Sequence, residues 1–394
     1  MNYSERIDKI LDVIKPEVEA MTLEIHDNPE LGLKEYHACA LQVELLKKYG
    51  FEVEEKFCEI DTAYKAVYKG KKSGPRIAML AEYDALPEIG HACGHNLIAM
   101  VSVASGIAMR EFADEMGGEI CVIGTPAEET VGTKAMIADK GGFDDLDVAM
   151  MSHPMHVDSE SVNTLAIKSV KFKFYGKPAH AAGMPEEGIN ALDACINTFN
   201  MINALRQEVK SDVRIHGIIT DGGKAPNIIP EYAEAFFFVR AAKIDYLETV
   251  FEKVCNCAKG AALGAGAKVE IELTEGQFCD TNSNKVLTRL NTKNMEDIGV
   301  QMIRASKDPV SGSTDMGNAS YRVPAIQTMF DIANGKPLIC HNAAFAEAAG
   351  SEYALKKAWL CIKGHVLTAI DLMSDPKLVE EAFAEFTPNS RRPK

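Results

Sequence analysis

The chain has 394 residues, more than one domain usually holds, so two domains with a large buried core are expected. Its 57 acidic and 42 basic side chains leave a net charge of -15, which disfavours nucleic acid and anionic membrane surfaces as partners. A hydrophobic content of 46% and a charged content of 25% place it among ordinary soluble globular proteins.

The opening stretch "MNYSERIDKILDVIKPEVEAM" is charged and amphipathic, and it reads as a first helix and not as a secretion signal. "LKEYHACALQVELLKKYGF" (33–51) has helical spacing and closes on Lys47, Lys48 and Gly50. Strand-like runs follow at 63–70 and 76–84. Next come a helix over 96–112, a strand over 119–126, a helix near 132–140 and a strand over 147–153. The low-charge run "NLIAMVSVASGIAM" is too short to span a bilayer and reads as a packed core helix. Strands alternating with helices imply a largely parallel sheet covered on both faces, with ligands gathered at the carboxyl ends of its strands. Asp84, Glu128, Glu129 and His153 all fall at such ends.

A different unit begins near residue 166. An alternating strand over 166–176 is followed by a helix over 187–209 whose stripe is Ile189, Leu192, Ile196, Phe199 and Ile202. Strands at 213–220 and 232–240, a helix at 244–260 and a strand at 267–275 follow. The order β-α-β-β-α-β is that of a split βαβ, ferredoxin-like unit. The chain is therefore read as an α/β domain with a mixed, mostly parallel sheet (1–165 and 283–394), interrupted by a small inserted α+β domain (166–282). Ten scattered cysteines with no CxxC pair point to a reducing cytoplasm. Cys39, Cys58, Cys121, Cys195 and Cys361 read as small buried hydrophobes. The thiols of "CNC" (255–257) fall on different helix faces.

The chemistry gathers in a few short stretches. "TPAEET" (125–130) carries two adjacent carboxylates, which alone would suit a solvated helix start. A metal cation would resolve their repulsion, one glutamate coordinating while the other accepts a proton. "GHACGHN" (90–96) sets a thiol and two imidazoles around Gly94, which permits the sharp path that lets Cys93 and His95 converge. "SHPMHVD" adds His153 and His156, and "ICHNAAF" adds Cys340 and His341. Singly, each histidine suits a structural hydrogen bond. Together Cys93, His95, Glu129, His153 and His341 supply sulfur, nitrogen and oxygen donors suited to zinc or another divalent transition metal. A thiolate can bridge two cations, and five ligands exceed one tetrahedral zinc, so a two-metal site fits.

"HDNPELGLKEY" (26–36), "AEYDALPEIGHACGHN" (81–96), "GTPAEE" (124–129), "GKPAHAAGMPEEGINAL" (176–192) and "APNIIPEYAEA" (225–235) occur in this order. They resemble the di-metal amidohydrolase and peptidase family, which includes aminoacylases, carboxypeptidase G, auxin-conjugate hydrolases and p-aminobenzoyl-glutamate hydrolase. "EIGHACGHNLIAM" and "SGSTDMGNAS" are most similar to its dipeptidase-like and aminobenzoyl-glutamate-hydrolase-like branch. The resemblance implies a zinc-peptidase-like catalytic domain and an inserted lid and dimerisation domain, hence a homodimer. It implies two divalent metal ions, zinc first with manganese or cobalt as alternatives, held by Cys93 as the bridge and by His95, Glu129, His153 and His341. Glu128 becomes the general base and Asp84 the carboxylate that orients a ligand. His180 becomes the oxyanion donor reaching across a dimer interface, and Asn227 and Arg240 bind the substrate carboxylate or oxyanion. Two departures stand out: Glu82 replaces the histidine of the family's His-x-Asp motif, and Asn96 replaces an aspartate of the auxin-conjugate branch. His91 reads as scaffold and Cys340 as core filler.

The expected activity is hydrolysis of an amide bond in a dipeptide or N-acyl amino acid by metal-activated water. Two other classes stay open at this point. Cys93 could be the nucleophile of a cysteine hydrolase with His95 or His91 as base, or the chain could be a catalytically silent binding protein of the same fold.

Overall fold

Residues 2–274, 276–306 and 312–387 are described in a computed structural model. Glu275, the last residue of the strand read over 267–275, and Ser311, the first of "SGSTDMGNAS", lie outside the described residues.

Helix α1 (Tyr3–Asp27) is capped by Asn2, whose side chain accepts from the Glu5 amide at 2.8 Å. Ile7, Leu11, Ile14, Val18, Met21 and Ile25 recur every three or four residues as its buried stripe. Then come α2 (Tyr36–Lys48), β1 (Glu52–Glu55), β2 (Tyr64–Lys69), β3 (Arg76–Ala81), α3 (His95–Met116), β4 (Glu119–Gly124), α4 (Thr133–Asp139) and β5 (Val148–Met155). The middle of the chain holds β6 (Ala166–Tyr175), β7 (Ala179–His180), α5 (Ala191–Leu205), β8 (Arg214–Asp221), β9 (Ile228–Ile229), β10 (Tyr232–Ala241), α6 (Ile244–Ala265) and β11 (Lys268–Leu273). The last part holds α7 (Lys285–Asp297), α8 (Met316–Ser320), β12 (Ala325–Asp331), α9 (Ala343–Ala349), α10 (Glu352–Ser374) and α11 (Pro376–Phe386).

The chain divides into two compact units, the second of which takes Thr164–Asp280 together with Gly312 and Ser313. The first unit is built on a six-stranded sheet in the order β1-β2-β4-β3-β5-β12. The pairs β4–β3, β3–β5 and β5–β12 are parallel, whereas β1–β2 and β2–β4 are antiparallel. Alternation along each strand feeds two cores. Ile77, Met79, Val122, Val148 and Met150 face one, and Ala78, Leu80, Ile123, Ala149 and Met151 face the other. Both faces are covered, and the sheet is mixed and mostly parallel. Helix α3 is buried over nearly its whole length, which the run of small apolar residues at 96–109 had indicated. Sequence patterning did not reveal β1, whose four residues "EVEE" carry too little apolar signal.

The second unit pairs its strands in the order β11-β6-β10-β8, all antiparallel. In chain order this is 4-1-3-2, and with α5 and α6 it makes a ferredoxin-like arrangement. Helix α5 is shorter than the 187–209 reading. Asn190 accepts from the amides of Leu192 and Asp193 and starts it, and a 3-10 turn over Arg206–Glu208 ends it. Its buried residues are Ala191, Ala194, Cys195, Thr198 and Ile202, so Ile196 of the expected stripe is exposed. Helix α6 runs past residue 260 to Ala265, where Gly266 at φ +70° turns the chain out. Cys39 and Cys58 are half-buried, unlike the fully buried Cys121 and Cys195.

Under the sheet, His365 of α10 lies 2.7 Å from Ser152 Oγ, which in turn contacts Thr328 Oγ1 at 2.6 Å. Burial pushes His365 down from 6.5 to about 4, so the fold prefers its neutral form. That preference contributes stability in full above the unfolded pKa and is lost as pH falls from 6.5 toward about 4. Comparing unfolding free energies of wild type and His365→Gln across that range should show a shallower pH slope in the variant, by about 1.4 kcal/mol per pH unit. Parallel slopes would remove His365 as the source.

Candidate metal centre

Parallel strands in one sheet present their carboxyl ends along one edge, and four of them build this site. Beyond β3 stand Glu82 and Asp84, beyond β4 stand Glu128 and Glu129, on β5 stands His153, and beyond β12 stands His341. The loop before α3 adds Cys93, and the first residue of α3 is His95.

The turn at 125–130 is shaped by its backbone. Ala127 sits at φ +56°, a left-handed conformation for a residue with a side chain, and its carbonyl accepts from the Gly132 amide at 2.9 Å. The buried Glu35 holds the strained residue, accepting from the Ala127 amide at 2.8 Å and from Thr62 Oγ1 at 2.9 Å. Burial pushes Glu35 up to about 7. Asp84 ties this turn to the histidine loop: one oxygen accepts from the Glu129 amide at 3.0 Å, and the other meets His95 Nδ1 at 3.0 Å. At Gly94 the chain adopts φ +77°, and a Cβ there would meet Pro154 Cγ at 2.5 Å. Only glycine lets Cys93 and His95 turn toward β5 without strain.

Donor atoms converge in overlapping groups. Those of Cys93, His95 and His153 lie within 4.8 Å of one another, and so do those of Cys93, Glu129 and His341. The same limit holds for His95, Glu128 and Glu129. Cys93 is thus common to two groups of three donors. Cys93 Sγ stands 3.6 Å from His153 Nε2, and His341 Nε2 stands 3.1 Å from Glu129 Oε1. The tautomers suit coordination. His95 Nδ1 faces Asp84 and His153 Nδ1 faces the Pro154 carbonyl at 2.7 Å, so each imidazole turns Nε2 inward. His95 Nε2 and Glu129 Oε1 are buried and meet ionic neighbours, Glu82 Oε2 at 3.3 Å and His341 Nε2 at 3.1 Å. Buried acids and imidazoles gathered this closely, with sulfur, nitrogen and oxygen donors among them, fit a divalent cation.

The electrostatics agree. Burial opposes charge on Asp84, yet His95 and the backbone amides of Glu129 and Glu128 hold it below its usual value. Burial opposes charge on His95 too, yet Asp84 and Glu82 drive its pKa well up. The Cys93 thiol is pushed well up by its hydrogen bond with Cys340, by burial and by Glu129. Burial raises Glu128 strongly, with Glu82 and Asp315 adding to it. A wall of this kind gains from added positive charge.

Several residues were not singled out from the sequence: Glu35, Lys134 and Asp315, with Glu82 noted only as a departure. Lys134 Nζ donates to Glu82 Oε1 at 2.6 Å and to Asp315 Oδ1 at 2.7 Å. The one sequence signal for them was a lysine inside an otherwise apolar helix start. His91 Nε2 meets the Ile25 carbonyl at 3.0 Å, and Asn96 donates to the Ala349 carbonyl at 3.0 Å. The Cys340 thiol also faces Met155 Sδ at 3.6 Å, and His156 is exposed.

His180, Asn227 and Arg240 belong to the second unit. His180 lies on β7, paired with Ile228 of β9, and its Nδ1 accepts from the amides of Ala182 and Gly183 at 3.3 and 3.0 Å. That leaves the proton on Nε2. The Asn227 carbonyl accepts from the Ala181 amide at 3.0 Å. Arg240, on β10, donates to Ser313 Oγ at 2.8 Å and is half-buried.

A family profile described as the peptidase dimerisation domain matches residues 164–264. The Xaa-Arg dipeptidase of Mus musculus is 37% identical, over 97% of this chain and 91% of its own length. The chain belongs to the M20 peptidase family. A p-aminobenzoyl-glutamate hydrolase polypeptide of Escherichia coli is 30% identical, over 96% of this chain and 94% of its own length. A Bacillus subtilis structure described as a dinuclear metal binding peptidase of the M20 family shares the fold. It has a TM-score of 0.68 at 18% identity, over 91% of this chain and 99% of its own. This M20 peptidase is thus a metal-dependent hydrolase of amide bonds in small substrates.

Replacing Gly94 with alanine should cost about 1–3 kcal/mol in unfolding free energy and lower occupancy at limiting metal. Thermal denaturation and metal analysis would check both; an unperturbed metal content would show that the Cys93–His95 turn tolerates a side chain.

Proposed function

We propose that the chain is a two-metal dipeptidase or N-acyl-amino-acid amidohydrolase acting on substrates with a free terminal carboxylate. The observation that carries this reading is Cys93, one thiol shared by two groups of three donors. In it, Cys93, His95 and His153 would hold one cation, and Cys93, Glu129 and His341 would hold the other. When bound, the two cations supply Lewis acidity that activates water and polarises the scissile carbonyl. The thiolate favours zinc over harder ions, with manganese or cobalt as substitutes.

Glu128 takes the proton from the attacking water and later delivers it to the leaving amine. Asp84 keeps the His95 Nδ1 proton in place and the Glu129 backbone in register. His180 Nε2–H donates to the oxyanion, a contribution on the order of 3 kcal/mol for one well-placed donor. Arg240, with Asn227, takes the substrate carboxylate. The inserted unit serves as lid and dimerisation domain. In its support, Ile196, Met201, Ile218 and Ile219 are exposed on it, and β8 is an edge strand. Ten scattered cysteines without a disulfide framework fit a reducing cytoplasm, and no helix among the described residues is long and apolar enough to cross a membrane. A cysteine-nucleophile reading would need a thiolate at Cys93 from the chain's own charges, and Cys340, burial and Glu129 all push the other way.

Glu128→Gln should lower kcat by at least about 10²–10⁴-fold while the metal content stays at the wild-type level. Turnover that survives both this substitution and exhaustive chelation would sink the reading. Among substrates, the likeness to the Xaa-Arg dipeptidase at 37% identity favours dipeptides with a carboxyl-terminal arginine over p-aminobenzoyl-glutamate, whose hydrolase is 30% identical. Measuring kcat/KM for both, with zinc, manganese and cobalt in turn, decides between them; a preference for aminobenzoyl-glutamate would reassign the substrate.

A further inference from the structure

Lys134 has no step in the hydrolytic scheme, yet the fold spends a fully buried lysine on it. It stands at the start of α4, where its amide donates to Asp315 Oδ2 at 2.9 Å while its ammonium binds both Glu82 and Asp315. All three side chains are 0% exposed. Lysine is almost never buried to this degree unless it is paired. One carboxylate oxygen each from Glu82, Glu128 and Asp315 lies within 4.8 Å of the other two, the spacing of a cation site. The cluster is enclosed and not solvated: Glu82 and Asp315 are fully buried, and the other oxygen of Glu82 is paired with His95 Nε2 at 3.3 Å.

We propose that Lys134 is a positioning residue whose ammonium stands where a further metal ion would otherwise bind among Glu82, Glu128 and Asp315, so that Glu128 stays free of metal. The inference rests on the reading of Glu128 as the proton acceptor. A carboxylate drawn into coordination is a weaker base, because the adjacent cation favours its ionised form. A metal ion would bind this cluster reversibly, at the concentrations that load the functional pair. An ammonium on the chain cannot leave, so the cluster stays closed whatever the metal supply. It also carries one charge in place of two, with three N–H donors in compact geometry that match Glu82 and Asp315.

The test counts metal in the full-length chain. Wild type, Lys134→Ala and Lys134→Gln are stripped by chelation and titrated with Mn²⁺, and bound equivalents are measured. Each variant should take one equivalent more than wild type. Lys134→Ala/Asp315→Asn, which removes a carboxylate from the cluster, should return to the wild-type count. In the single variants kcat should fall by roughly tenfold or more with KM little changed, the signature of a lost base and not of lost binding. Folded single variants with the wild-type count would overturn the proposal. If neither folds without metal, recovery of a cooperative melt by Mn²⁺ supports it, and failure to recover overturns it. The reading of the functional pair fails separately, on a wild-type chain that binds fewer than two equivalents or works without metal.

Discussion

Carboxylates gathered in one dry wall repel each other and must be met by positive charge, and the centre of this protein is arranged around that constraint. Glu82, Asp84, Glu128, Glu129 and Asp315 arrive from the ends of β3 and β4 and from the start of α8. Burial opposes ionisation of Asp84, Glu128, Glu129 and Asp315. Even beside Lys134, Asp315 is pushed up to about 6. Glu129 stays low because His341 and His95 offset the burial. His95 is held between Glu82 and Asp84, Lys134 between Glu82 and Asp315, and the remaining negative charge faces Cys93 and the inward Nε2 atoms. A divalent pair is the electrostatic complement of such a wall.

That constraint also accounts for the local strain. Adjacent glutamates on a regular turn would point apart. Placing both toward the strand ends requires the left-handed Ala127, and Glu35 holds that conformation from outside the cluster. His341 is likewise at φ +66°, its amide fixed by the Ala92 carbonyl at 2.9 Å. Gly94 achieves the same end without cost. Residues in unfavourable backbone regions at a functional cluster are kept there by surroundings that over-determine them.

The two units make different demands on their residues. The first immobilises its side chains at strand ends beneath two buried cores, which suits coordination, where donor spacing is unforgiving. In the second, His180 and Asn227 are exposed and Arg240 is half-buried. Fixed backbone amides nevertheless set the His180 tautomer, which makes an accessible residue chemically specific.

Much of this was legible in the chain. Strand and helix alternation marked the sheet, β-α-β-β-α-β marked the inserted unit, and Cys93, His95, Glu129, His153 and His341 stood out as a set, because sulfur, nitrogen and oxygen donors in that combination suit a divalent cation although each alone suits a structural role. Their chemistry is local, written in residue type and position after a strand. The lysine and carboxylates behind them were not legible. Glu82, Lys134 and Asp315 are separated by 52 and 181 positions along the chain, and a charged residue looks the same in sequence whether it is solvated or buried. Residue identity by itself determined which atoms can bind a cation and accept a proton. Only the tertiary structure decided which charges face each other without water, because desolvation depends on the packing of distant segments and not on neighbours in the chain.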